Sequence, residues 1–183
     1  MPYATARDGT QLYYEETGRG TPLVFVHEFS GDYRSWEAQM RYFGRRYRCV
    51  AFNSRGYPPS DVPKAKSKYS QAAVTDDIAA VMRQLKLRKA HVVGCSMGGY
   101  SVLNFGIHYA SRALSVTAVG AGSGSIPATQ RAFLRNTAAN AQRLLELGMP
   151  AAARAAGVNP GRVSQMHKDP RGYAEFRRWH EQH

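Results

Sequence analysis

Hydrophobic and polar positions divide the first two-thirds of the chain into short apolar runs separated by segments of helical period. Pro22-Leu-Val-Phe-Val-His27 is unbroken apolar sequence, the pattern of a strand covered on both faces in a parallel sheet. Tyr47-Arg-Cys-Val-Ala-Phe52, Ala90-His-Val-Val93 and Leu114-Ser-Val-Thr-Ala-Val119 read as further strands. Between them, Trp36, Met40 and Phe43 recur at helical spacing and stop at Gly44. Ser70 can N-cap a helix whose apolar face is Val74, Ile78, Val81, Met82 and Leu85, an i, i+4, i+7, i+8, i+11 series. Gly99 to Tyr109 continues as helix, and residues 11–16 read as an edge strand after the Asp8-Gly9 turn. Strands alternating with helices predict an α/β fold: a doubly wound, mostly parallel sheet whose functional loops lie at the strands' carboxyl ends.

The pattern changes after Gly124. Residues 127–147 are helical and end at Gly148-Met149-Pro150, and a short Ala-rich helix then runs to Gly157. Tyr173, Phe176 and Trp179, with His180, mark one face of a last helix. No β-branched run follows Val119, so the chain is expected to divide into a sheet-bearing part, 1–124, and an all-helical part, 125–183.

Composition narrows the classes. With 183 residues, 43 % hydrophobic and 11 % aromatic, the chain is expected to fold around a real core. No run approaches the 18 apolar residues of a membrane span, and the N-terminus lacks a signal-peptide core. Cys49 and Cys95 are expected at strand ends, buried as free thiols, which suits a reducing cytoplasm. The net charge of +12 invites a nucleic-acid reading. Its arginines are scattered, however, and the densest group, Lys64-Ala-Lys-Ser-Lys68, has no interleaved aromatics for base stacking. A specific nucleic-acid partner is not expected, nor a membrane. No clustered Cys/His pattern suggests a metal, and no G-x-G-x-x-G after a strand suggests a dinucleotide, so no cofactor is expected.

The chemistry is concentrated in Gly94-Cys95-Ser96-Met97-Gly98, which follows one apolar strand and opens one helix. That is the strand–turn–helix context of a nucleophile elbow. The turn is tight, so the positions two before and two after the serine must lack side chains, as Gly94 and Gly98 do. Ser96 is then lifted off the sheet beside the N–H groups of a helix N-terminus.

Two more loops stand in order before it: His27-Glu28-Phe29 after one strand, and Asn53-Ser-Arg-Gly-Tyr-Pro-Pro-Ser60 after the next. With the elbow they resemble the α/β-hydrolase family, over about residues 10–122. The resemblance implies Ser96 as nucleophile and the backbone N–H groups of Phe29 and Met97 as oxyanion donors. It gives His27, Glu28, Gly94 and Gly98 a part in shaping the site. Phe29 also reads as a core aromatic or as a wall of an acyl pocket. Glu28 stands where the family usually has glycine, Asn53 where it has aspartate and Pro58 where it has glycine; the last two are expected to change loop shape more than chemistry. A serine at 96 argues against epoxide-hydrolase and dehalogenase chemistry, for which the family uses aspartate there. The helical part after Gly124 corresponds to the family's lid.

In that family the acid follows a seventh strand and the histidine base an eighth, and neither segment occurs in these 183 residues. His27 is expected to shape the oxyanion loop. His91 begins the elbow strand at the wrong end, and His108 lies about three turns into the next helix. His167, His180 and His183 fall on the helical part or the chain end, with His180 beside Trp179. Asp76 and Asp77 precede the elbow strand on a helix, and Asp169 precedes Pro170. The expected function is a serine hydrolase of small-molecule esters or related acyl substrates. Carbon–carbon hydrolysis, perhydrolysis and acyl transfer share the same elbow. The alternatives are a noncatalytic or truncated, inactive protein on this fold and a basic nucleic-acid adaptor. An incomplete sheet would also expose an apolar edge through which chains self-associate.

Overall fold

A computed structural model describes residues 2–155 and 162–182. The chain forms two compact units, 1–121 and 122–183.

The first unit is a six-stranded sheet in the order β1-β2-β4-β3-β5-β6. Its strands are β1 (Tyr3–Thr5), β2 (Gln11–Thr17), β3 (Thr21–Val26), β4 (Tyr47–Phe52), β5 (Ala90–Cys95) and β6 (Ala113–Val119). β1 and β2 pair antiparallel, as do β2 and β4, while β4, β3, β5 and β6 are parallel neighbours. This bears out a doubly wound, mostly parallel sheet. Residues 11–16 are not an edge, however: β1, too short to show a period of its own, pairs outside them.

The unbroken apolar run of β3 has a direct explanation. Val24 and Val26 face a core with Leu12, Val50, Phe52, Ile78, Met82, Val92, Val102 and Phe105. Leu23 and Phe25 face the other side, with Trp36, Met40, Cys49 and Ala51. Successive strand residues point to opposite faces, so only a strand buried on both sides is apolar at every position. The first face is covered by α2 (Gln71–Gln84) and α3 (Met97–His108). The second is covered by a 3₁₀ turn (Tyr33–Trp36) running into α1 (Glu37–Phe43), so the expected helix around Trp36 is two pieces. Ser70 caps α2 by accepting the Ala73 N–H at 3.0 Å. Cys49 lies within β4, fully buried, and Cys95 ends β5 partly exposed; both are free thiols.

β6 closes one side of the sheet, with Leu114 and Val119 about half exposed. In the second unit, α4 (Pro127–Leu147), α5 (Met149–Ala155), α6 (Val163–Lys168) and α7 (Pro170–His180) are all helical. The expected stop at Gly157 lies outside the described residues, and α6 was not foreseen. Phe176 stacks on His180 at 5.7 Å and carries the Arg162 guanidinium over its face at 3.9 Å. No helix among the described residues is long and apolar enough to cross a membrane.

Candidate active site

β4, β3 and β5 lie side by side, and the chain leaves β3 for β4 on one side and reaches β5 on the other. Such a reversal is where α/β sheets place their ligand sites, at the strands' carboxyl ends. All three candidate loops leave from those ends: His27–Phe29 after β3, Asn53–Ser60 after β4, and the elbow after β5.

In the elbow, Ser96 has φ +50° and ψ −110°, a strained backbone for a residue with a side chain. Its N–H bonds to Val119 O at 2.8 Å and its carbonyl accepts from Tyr100 N at 3.1 Å, which ties the turn to β6 and to α3. Its side chain caps nothing and is only partly buried. The glycines are required by contact. A Cβ on Gly94 would strike the Gly98 carbonyl, and one on Gly98 would strike the Val26 and His27 carbonyls. Backbone atoms cannot move aside as a flexible side chain can. Helix α3 starts at Met97, two residues earlier than its apolar pattern indicates, so the Met97 N–H belongs to the helix's unpaired first turn.

His27 is completely buried and locked at both ring nitrogens. Nδ1 lies 2.8 Å from Glu28 O, and Nε2 accepts the Ser54 N–H at 3.1 Å. Those partners assign the neutral tautomer, with the proton on Nδ1. Burial pushes its pKa below the ordinary 6.5. Glu28 O and Phe29 N share one rigid peptide plane, so the Nδ1 bond restrains the plane that carries the Phe29 N–H. Glu28 itself is partly exposed; its carbonyl accepts from Gly31 N at 3.1 Å and its Oε1 from Ser35 Oγ at 3.3 Å. The Phe29 side chain is 50 % exposed, so the residue is not a core aromatic.

The loop after β4 is built of polar contacts. Asn53, fully buried, accepts from Tyr33 N at 2.7 Å and donates its amide to Tyr57 O at 3.3 Å and Pro58 O at 2.8 Å. Arg55 reaches Asp77 through two bonds of 2.8 and 2.6 Å, Asp8 at 2.9 Å and Lys68 O at 2.7 Å. The bonds to Asp77 hold the guanidinium charged well above its ordinary range. Burial alone would raise the Asp8 carboxyl, but bonds from Thr10, Arg55 and Lys68 hold it below the usual carboxylate range. Asn53 and Pro58 are thus in direct contact, the amide of one donating to the backbone carbonyl of the other. Sequence reasoning missed Tyr57, whose hydroxyl bonds to Phe29 O at 2.8 Å and lies 3.9 Å from Met97 Sδ. Its position in the loop motif was the available signal.

The remaining titratable candidates have other employment. Asp77 belongs to Arg55, Asp76 accepts from Tyr109 Oη, and Asp169 caps α7 through Gly172 N at 2.9 Å. His91 Nδ1 lies 2.8 Å from Ser115 Oγ. His108 is the exposed last residue of α3, about 16 Å along the helix from its start. His167 and His180 lie in the second unit, where His180 stacks on Phe176; His183 is outside the described residues. Among the described residues no group of three or more His, Cys, Asp or Glu side chains could hold a metal ion.

Known proteins agree on the family. The epoxide hydrolase 1 of Caenorhabditis elegans is 37 % identical over 101 residues, 54 % of this chain and 25 % of the relative. A non-heme haloperoxidase of Rhodococcus erythropolis is 32 % identical over 123 residues, 66 % of this chain and 44 % of the relative. The chain thus spans less than half the length of either. Among solved structures, the enol-lactonase of Burkholderia xenovorans LB400 superposes with a TM-score of 0.81 at 24 % identity, covering 100 % of this chain and 68 % of that one. A thermophilic esterase of Thermogutta terrifontis gives 0.82 at 25 % identity, covering 97 % and 65 %. The family model described as alpha/beta hydrolase fold matches residues 21–155, and the chain belongs to that family.

Proposed function

We propose that this chain carries the nucleophile and oxyanion side of a serine hydrolase acting on small-molecule esters or related acyl substrates. The observation that carries the reading is Ser96 at φ +50° on the junction of β5 and α3, a strained position kept by glycines whose replacement would strike backbone. Strain of this kind gathers at functional sites.

In the proposed reaction, Ser96 Oγ attacks the acyl carbonyl while a base takes its proton. The Phe29 and Met97 N–H groups hold the oxyanion; the leaving group departs to give an acyl-Ser96 ester, and water then attacks that ester and releases Ser96. His27 orients the Phe29 N–H and takes no proton, since both its nitrogens are engaged. In the family pattern that base is a histidine that follows an eighth strand. Enol-lactonase and esterase among the structural neighbours fit an acyl substrate, while the epoxide-hydrolase relative differs in the chemistry that Ser96 excludes.

A second reading, a noncatalytic member of the family, draws on one observation: each histidine described in the sheet-bearing unit is either bonded elsewhere or remote from the elbow. A fluorophosphonate probe with a p-nitrophenyl ester assay separates the two. Labelling of the wild type and none of Ser96→Ala supports the hydrolase; no labelling and no turnover support the second reading.

A further inference from the structure

We propose that Tyr57 is a positioning residue for the oxyanion donors, acting through the Phe29 carbonyl and the start of α3. This rests on the reading of Ser96 as nucleophile.

Two rigid peptide planes meet at Phe29. The first holds Glu28 O and Phe29 N, and His27 Nδ1 grips it at 2.8 Å. The second holds Phe29 O and Ser30 N, and Tyr57 Oη grips it at 2.8 Å. Each plane is rigid, so fixing one carbonyl in each leaves little freedom at the φ and ψ between them. With only the first grip, Phe29 could still swing about its own Cα, and its half-exposed ring offers no core packing to stop it. The Tyr57 hydroxyl therefore completes the restraint on the residue whose N–H faces the reacting carbonyl.

The same hydroxyl lies 3.9 Å from Met97 Sδ, so it touches the residues that supply both donors. Tyr57 is itself held. Its ring stands edge-on to His27 at 4.6 Å and 72°, and its backbone carbonyl accepts the Asn53 amide at 3.3 Å. Burial raises its pKa, which keeps the phenol protonated and able to donate. His27, Tyr57 and the two donor residues form one cluster drawn from all three loops.

The experiment is Tyr57→Phe, which keeps the ring and its contact with His27 and removes only the hydroxyl. Fluorophosphonate labelling of the full chain is followed to completion, so that rate and final stoichiometry are read separately. Where a base is lacking, the remaining reactivity comes from the oxyanion hole and binding, which is the contribution in question. Losing a donor outright costs about 10²–10³ in rate, and loosening one is expected to cost about 10-fold or more. The expected result is full stoichiometry reached about 10–100-fold more slowly than the wild type. Labelling at the wild-type rate overturns the proposal. A lower stoichiometry at the wild-type rate also overturns it, because that pattern marks lost fold and not lost positioning. If wild type and variant both fail to label, the nucleophile reading falls and the positioning role falls with it. That outcome is distinct from a wild type that labels and a variant that matches it.

Discussion

Two loops flank the end of β3, and they are held in opposite ways. The elbow is held by absent atoms: Gly94 and Gly98 let α3 and the ends of β3 and β5 come so close that a single methyl group would strike a carbonyl. The loop from Asn53 to Ser60 is held by added polar atoms. Asn53, Arg55 and Ser60 are all buried, and each satisfies backbone or carboxylate partners. Steric closeness admits one residue type, so the elbow is written as a fixed motif. A hydrogen-bond network admits any set that leaves no buried group unpaired, so the second loop can depart from its family pattern and still do the same work.

Breaking the polar loop is expected to have the largest effect on stability. Arg55→Ala leaves Asp77, whose side chain is 0 % exposed, without its bidentate partner, and removing one member of a buried pair costs about 3–5 kcal/mol. Urea unfolding of wild type and variant measures it; a loss under about 1 kcal/mol would place the pair among surface salt bridges. Gly98→Ala breaks the elbow. It is expected to cost about 3 kcal/mol, the upper part of the overpacking range, because the Val26 and His27 carbonyls cannot turn away. It should also abolish Ser96 labelling even where the chain still folds. Unchanged labelling in a folded Gly98→Ala chain would show that the close approach is not what positions Ser96.

A subtler change sharpens the contrast. Asn53→Asp installs the residue common in the family, yet here it turns an amide donor into an acceptor facing Tyr57 O and Pro58 O. We expect it to destabilise by about 2 kcal/mol, the cost of leaving buried groups unpaired. Adding Pro58→Gly, which lets that carbonyl turn, is expected to recover about 1 kcal/mol as a coupling energy. Strict additivity in the double-mutant cycle would uncouple the two positions.

The same distinction decides what could be read from the sequence. The parallel strands were legible because burial on both faces makes β3 apolar throughout, and the elbow because close contact demands glycine at 94 and 98. β1 was not legible: three residues at the edge have no room to show a period, and its partner β2 was consequently mistaken for the edge. Helix starts were also blurred, since α3 begins at Met97 inside the turn and not where its apolar face begins. The loop motif marks the place of Tyr57 but not its partner, because its hydroxyl bonds to the backbone of a residue 28 positions away. Asp77 looked like one more helix acid until Arg55 was seen to reach it across 22 positions.

His27 borders both loops, its carbonyl against Gly98 and its Nε2 against the Ser54 N–H, and acid should separate them. Its Nδ1–H holds the oxyanion loop through Glu28 O, while its Nε2 accepts the Ser54 N–H at the start of the polar loop. The folded-state pKa lies below 6.5 because the ring is buried, whereas the unfolded chain takes up the proton near that value. Below about pH 6.5 the unfolded state therefore binds more protons, and stability falls as pH drops. Between pH 7.5 and 5.5 the wild type is expected to lose about 1 kcal/mol more than His27→Gln, which cannot titrate. Equal losses in the two proteins would show that His27 is not held neutral. Protonating Nε2 removes the acceptor for Ser54 N but leaves Nδ1–H donating, and the steric fit at Gly98 contains nothing that titrates. Relative to the intrinsic exchange rate at each pH, the amide protection of Ser54 should consequently fall on acidification before that of Ser96 does, so the loop held by polar atoms opens while the one held by missing atoms stays closed.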